Sequence, residues 1–365
     1  MRFFNNRPLL VLAIVAVSTV ITSCQPEDDD QPTYTVPTTY TFSNVSYAGQ
    51  TDRMNMLSEL DAYVKTGNNG AVLSIDKMKD LYANTNAPFS SAQLNNSGKQ
   101  LKDKTILAGQ LLMETWFLNA VNASLSAGAA ATNGTAGLLT TVESIKYLVD
   151  ANGVEPAQVI QKSLMGAILY YQAVDGYLTP AKTGPAVDNA TVKEGEGTLM
   201  EHHFDEAFGY FGAPANLPTN TQNLKYWANY SNKVNMVLGT NKTMMDAFLK
   251  GRAAITAKDM QGKDAAIAVI RSEWEKLVAA SVILELNLAK ANMGDQAKKS
   301  HYLSEGLGFV YSLGYKADSK LTSVQQRDVI TKLGTNFYTT TIADIEAATN
   351  IISAAYGLET VKARL

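Results

Sequence analysis

The sequence predicts an all-α protein: two related helical bundles packed side by side by internal duplication, behind a short extended N-terminal segment. Three observations lead there. Apolar residues recur at steps of three and four through most of the chain, strand-like alternation is scarce after residue 45, and one ten-residue pattern occurs twice.

The extended piece is expected within Thr33 to Val45, where Tyr34, Val36, Tyr40 and Phe42 recur at near-strand spacing. Met54, Leu57, Leu60 and Val64 then fall on one helix face. Ile106, Leu111, Met113, Phe117 and Val121 mark a long apolar helix over 98–123, which an Asn-, Gly- and Ala-rich stretch at 123–136 ends. Further helices are expected over 139–149 and 156–176, the second entered through Pro156, well placed in a first turn. Trp274, Leu277, Val278, Ser281, Leu284 and Leu288 mark a long amphipathic helix over 262–292.

The repeat joins His202-His-Phe-Asp-Glu-Ala-Phe-Gly-Tyr-Phe211 to His301-Tyr-Leu-Ser-Glu-Gly-Leu-Gly-Phe-Val310. Without gaps, His202 matches His301, Glu206 matches Glu305 and Gly209 matches Gly308. Each copy follows a long apolar helix. The expected bundles are therefore 46–215 and 216–365.

The first residues read as a leader. Arg2 and Arg7 precede an apolar run, Leu9 to Val20, too short for a permanent membrane span. It ends in Ile21-Thr22-Ser23-Cys24, a lipobox, so 1–23 is expected to be a lipoprotein signal peptide and Cys24 the acylated anchor. Cys24 is also the one cysteine of the chain, so no internal disulfide can form. Residues 24–45 read as an acidic, Thr- and Pro-rich linker from that anchor. Its Glu27-Asp28-Asp29-Asp30 resembles the acidic signal that sends some Gram-negative lipoproteins to the outer cell surface. The expected location is the cell envelope, tethered to the outer membrane.

The net charge of −3 argues against a nucleic-acid partner, and removing the leader deepens it, because two arginines and no acids leave with it. With 46% hydrophobic residues, the remaining chain can bury a large core without a disulfide.

The chemistry is expected at the histidines. The chain has three, His202, His203 and His301, all inside the matched segments. Residues three and four apart share a helix face, so His202 and His203 reach Glu206, and His301 reaches Glu305. Imidazole with carboxylate suits iron, zinc or manganese better than calcium. Glu201 and Asp205 add carboxylates to the first segment. Facing each other, the segments would bring His202, Glu206, His301 and Glu305 to one point, as inward Glu and His do in metal-binding bundles. Gly209, Gly306 and Gly308 sit in helix interiors at a cost of about 1 kcal/mol each relative to alanine. Close helix packing would justify them.

His203-Phe204-Asp205-Glu206 supplies the His-x-x-Glu core of the motif of imelysin-like proteins, and this chain resembles that family there. The resemblance implies an exported all-helical protein of two related bundles, linked to iron or haem uptake and formerly classed with metallopeptidases. Glu201 stands where the family's Gly-x-His-x-x-Glu motif has glycine. The chain also resembles a group of lipoproteins known only as a domain of unknown function, through Tyr47 to Arg53, His202 to Gly212 and Ser304-Glu305-Gly306. That resemblance spans most of the mature chain and implies a fold and a compartment without an activity.

No His-Glu-x-x-His helix, Gly-x-Ser-x-Gly turn or phosphate-binding glycine loop occurs, so no catalytic residue is assigned. The expected function is capture of a transition metal ion, iron or zinc, or of haem, for delivery to an outer-membrane uptake receptor. Two other readings compete. One is a metal-free surface module binding a protein or glycan through Tyr170, Tyr171, Tyr177, Tyr210, Phe211, Tyr226, Trp227 and Tyr230. The other is a metal-dependent hydrolase with Glu206 or Glu305 as general base.

Overall fold

A computed structural model describes Met1 and residues 34–365; the leader, Cys24 and the acidic part of the linker lie outside the described residues. Among the described residues the chain forms thirteen α-helices and one two-stranded sheet. No helix there is long and apolar enough to cross a membrane.

Tyr34 to Tyr47 is irregular rather than a strand. Its anchor is Tyr40, buried and stacked on Phe208 with ring centroids 3.7 Å apart. The first helix, α1 (Ala48–Val64), buries Met54, Leu57, Leu60 and Val64, the face its spacing specifies. After α2 (Ile75–Ala83) and the short α3 (Ala92–Asn96) comes α4 (Leu107–Ser124). It begins later than the periodicity suggests, because residues 97–106 are spent on bends and a 3-10 turn at Lys102–Lys104.

The helix expected over 139–149 is instead a hairpin. Strands β1 (Gly137–Thr140) and β2 (Lys146–Val149) pair antiparallel, Leu138 opposite Leu148 and Leu139 opposite Tyr147. Leu139, Val142, Ile145 and Val149 mimic a helical period, but Val142 and Ile145 are exposed at the turn rather than on a buried face. Thr140, Tyr147 and Val149 supply the strand preference.

Helix α5 (Pro156–Leu164) continues through two wide π-helical turns, Met165–Tyr170 and Gln172–Tyr177. A π turn releases main-chain carbonyls from the regular ladder, and outside donors take three of them. The Trp227 indole donates to Met165 O at 2.9 Å, the Ile106 N–H to Ala167 O at 3.1 Å, and the Arg271 guanidinium to Val174 O.

The rest is helical: α6 (Pro180–Thr183), α7 (Leu199–Phe211), α8 (Tyr226–Leu238), α9 (Thr240–Ala257), α10 (Met260–Ala291), α11 (Gln296–Leu313), α12 (Ser323–Leu333) and α13 (Ile342–Tyr356). The central strut is α10, 32 residues and so about 48 Å long. Asp259 caps it by accepting the Gly262 N–H at 2.8 Å. Helices α9 and α11 pack along it, and α5 packs along α11. A contiguous apolar cluster runs from Tyr40 to Leu358 and draws on both 46–215 and 216–365.

Candidate functional site

Helix α7 carries the first matched segment. Its start is fixed by a reciprocal cap: Thr198 Oγ1 accepts the Glu201 N–H at 3.2 Å, and Glu201 Oε2 accepts the Thr198 N–H at 2.8 Å. Gly212, at φ 79°, ends it in the left-handed conformation.

Glu201 and Asp205 point to the arginine side of this helix. Arg252 of α9 is buried and bonds both, Nη1 to Glu201 Oε1 at 2.7 Å and Nε to Asp205 Oδ1 at 2.9 Å. Tyr40 donates to the same Asp205 oxygen at 2.7 Å, and Thr256 donates to Glu201 at 2.7 Å. Burial raises Glu201, but its cap, Thr256 and Arg252 outweigh it and hold the carboxyl below its usual range. Burial pushes Asp205 up to about 6 against the pull of Arg252 and Tyr40. A buried guanidinium requires such carboxylates. Both residues, expected as metal ligands, are thus committed to an ion pair, each one position before a histidine-side residue and so turned by about 100° around the helix.

His202 and Glu206 occupy the neighbouring face. His202 Nε2 stands 3.9 Å from Glu206 Oε2, and His202 Nδ1 is buried with no hydrogen-bond partner among the described residues. Glu206 Oε1 accepts from Gln50 Nε2 at 2.8 Å and from the Tyr177 hydroxyl at 3.0 Å. The π turns before Tyr177 deliver that hydroxyl. Burial, then the Glu206 charge, raises the Tyr177 phenol far above its usual range, so it remains a donor. His203 is held differently. Its Nδ1 lies 2.8 Å from Lys182 O, which can only accept, so Nδ1 carries the proton and Nε2 faces Lys182 Nζ at 3.4 Å. Burial, with Lys182 and His202 nearby, lowers its pKa and keeps it neutral.

The second matched segment, on α11, lies in a denser charge cluster. His301 Nδ1 meets Glu155 Oε2 at 2.7 Å, its Nε2 is 3.6 Å from Glu305 Oε1, and its ring stacks on Tyr147 at 4.4 Å. Burial lowers His301, but Glu155 and Glu305 outweigh it and raise the imidazole above its usual range. Glu305 is paired with Lys162 at 3.1 Å and accepts the Tyr230 hydroxyl at 3.1 Å. Glu285 of α10 is fully buried and lies 3.7 Å from Lys233, with neither carboxyl oxygen hydrogen-bonded among the described residues. Burial and the Glu305 charge push it up to about 8, so Glu285 is protonated at neutral pH while Lys162 and His301 keep Glu305 ionised.

The expected convergence on one point is not what the structure has. Among the described residues no hydrogen bond or ion pair joins His202 or Glu206 to His301 or Glu305, and no three His, Cys, Asp or Glu side chains form a metal-ready group. The two segments are nevertheless built by one rule. A Cβ on Gly209 would lie 2.6 Å from Tyr47 Cβ and 3.0 Å from Gln50 Cβ; one on Gly308 would lie 2.6 Å from Lys162 Cβ. Each glycine lets a partner helix approach, and that helix supplies the polar side chain on the segment's glutamate, Gln50 on Glu206 and Lys162 on Glu305. Gly306 packs against Leu286 of α10.

Gln50 lies within the Tyr47 to Arg53 stretch and Tyr177 was expected only as a surface contact, while Glu155, Lys162, Glu285 and Arg252 carried no sequence signal of a site. Of the aromatic residues expected as a contact surface, Tyr170, Tyr177, Tyr210, Phe211, Trp227 and Tyr230 are buried. A cleft of about 650 Å³ opens between Leu178–Pro185, α10 and the Lys316–Lys320 loop. Among the described residues no His, Met, Cys or Tyr lines it.

A family model described as a domain of unknown function, DUF4856, matches residues 37–358. The chain belongs to that family. No curated protein and no solved structure matches it.

Proposed function

We propose that the protein is an envelope lipoprotein that captures a transition metal ion at α7, with His202 and Glu206 as protein donors. One observation carries the reading. His202 Nε2 and Glu206 Oε2 are 3.9 Å apart, too far for a hydrogen bond. Two donors each about 2.1 Å from a shared tetrahedral ion stand about 3.4 Å apart, so a small rotation of either side chain would close this pair on one. Gln50 and Tyr177 orient the carboxylate from behind, as outer partners do in metal sites.

Imidazole with carboxylate suits iron or zinc. Two protein donors leave the other positions to water or to ligands that travel with the ion. We favour an ion over haem, given a cleft that no His, Met, Cys or Tyr lines among the described residues. The Cys24 lipobox supports the envelope location, and delivery to an outer-membrane receptor belongs to the same reading. So does kinship with imelysin-like proteins, supported by His203-x-x-Glu206 lying on this helix. The parallel packing of Gly209 and Gly308 supports an internal duplication whose α11 copy holds Lys162 on its glutamate instead of an ion.

The test uses the chain from residue 24 with Cys24→Ser, stripped of metal and titrated with ferric and zinc salts. His202→Ala and Glu206→Ala should each weaken binding at least tenfold, and His301→Ala should leave it unchanged. No binding by the parent chain, or equal binding by all variants, would sink the reading.

A further inference from the structure

Helix α4 is unlike every other long helix of the fold in what it leaves outside. Glu114 is the one charged residue in its 18 positions, and its outer side is leucine. Leu107 is 69% exposed, Leu111 61%, Leu118 54% and Leu125, just past its end, 68%. With Glu114 and Val121 between them, these positions step by four, three, four, three and four. That is the 3.5-residue seam of helices that pack lengthwise on another helix. The opposite side is already used, because Met113, Phe117 and Ala120 are buried in the core. The patch continues past the helix end: the Leu73 N–H donates to Ser124 Oγ at 2.8 Å and brings Val72, 64% exposed, alongside. This line of exposed leucines, about 27 Å long and interrupted by Glu114, is more than a lone surface leucine explains.

We propose that this seam is the contact surface of a homodimer, two copies of the chain packed antiparallel along α4 about a two-fold axis at the level of Trp116. Four of the six seam positions pair apolar on apolar in that arrangement. Leu107 falls opposite the partner's Leu125, Leu111 opposite the partner's Val121, and Glu114 opposite the partner's Leu118. A parallel pairing would set Glu114 directly against the partner's Glu114, whereas the antiparallel one offsets the two carboxylates by four residues, about 6 Å along the axis. Isologous contact of this kind is the commonest symmetry of soluble oligomers. Two such helices with the flanking Val72 loops bury on the order of 1,000 Å², the lower end of a specific interface. A lipid surface fits less well, since helices that lie on membranes carry Lys or Arg beside their apolar face, and α4 has neither.

The test is sedimentation equilibrium of the chain from residue 24 with Cys24→Ser, between about 1 and 100 µM. The parent is expected to dimerise, and Leu111→Glu/Leu118→Glu to be monomeric with an unchanged melting curve, since both side chains are exposed. Under oxidising conditions Leu107→Cys/Leu125→Cys should cross-link two chains, and Leu107→Cys alone should not. A monomeric parent, a dimer indifferent to the glutamates, or cross-linking by Leu107→Cys alone would overturn the proposal. So would a monomeric parent that floats with phosphatidylcholine vesicles while the glutamate variant does not, which would assign the seam to lipid.

Discussion

Gln50 donates its side-chain amide to Glu206 across 2.8 Å, so the helix that opens the folded body holds the carboxylate of the helix that carries the paired histidines. Two of the stretches that mark the family resemblance, Tyr47 to Arg53 and His202 to Gly212, therefore meet in one contact. Removing the amide while keeping the fold should loosen Glu206 as a donor. Gln50→Ala is expected to weaken metal binding about 10-fold or more, the usual cost of an outer partner. The same titration that tests His202 measures it, and an unchanged affinity would detach Gln50 from the site.

Arg252 is 1% exposed and neutralises two carboxylates. Truncating it leaves Glu201 and Asp205 buried without a counter-charge, so Arg252→Ala should cost about 3–5 kcal/mol. Lysine cannot reproduce the two-armed contact, so Arg252→Lys should recover only part of that. Urea unfolding reports both variants.

The cluster at α11 makes stability depend on pH. His301 is raised in the folded chain, so its contribution is full below pH 6.5 and fades as pH climbs through its folded value. Glu285 is raised from 4.5 to about 8, so the fold binds its proton more tightly and loses stability between those limits. Both act in one direction. The chain should be less stable at pH 8.5 than at pH 6 by an amount on the order of 2 kcal/mol. Glu285→Gln, which keeps a neutral group there, should flatten that slope. A slope unchanged by the substitution would show that Glu285 does not contribute to it.

Gly308→Ala places a methyl carbon 2.6 Å from Lys162 Cβ, closer than side chains tolerate, with α5 main chain just behind. The expected cost is about 1–3 kcal/mol from forced repacking, read as a drop in Tm. Gly128→Ala, where nothing lies within 4 Å, is the control and should be close to neutral.

What the sequence could reveal followed from local periodicity. Met54, Leu57, Leu60 and Val64 face the core as their spacing requires, and the long helix expected over 262–292 runs from Met260 to Ala291. The hairpin at Gly137–Val149 escaped because two exposed turn residues completed a false helical period. At the candidate site, the pairing of His202 with Glu206 and of His301 with Glu305 was visible, since residues four apart share a face. What each pair meets was not. Arg252, Glu155 and Lys162 arrive from helices 47, 146 and 143 positions away, and only the packing of α5 on α11 and of α9 on α7 decides those contacts.

The wide turns between Met165 and Tyr177 have a consequence for phase. Each residue added to or removed from a helix rotates everything beyond it by about 100°, and a π turn stores one such extra residue. Were the same residues wound as an ordinary α-helix, Tyr177 would swing round the axis and its hydroxyl would be carried away from Glu206. The irregular winding thus sets the angular register by which a helix starting at Pro156 addresses a carboxylate on a different helix fifty residues downstream.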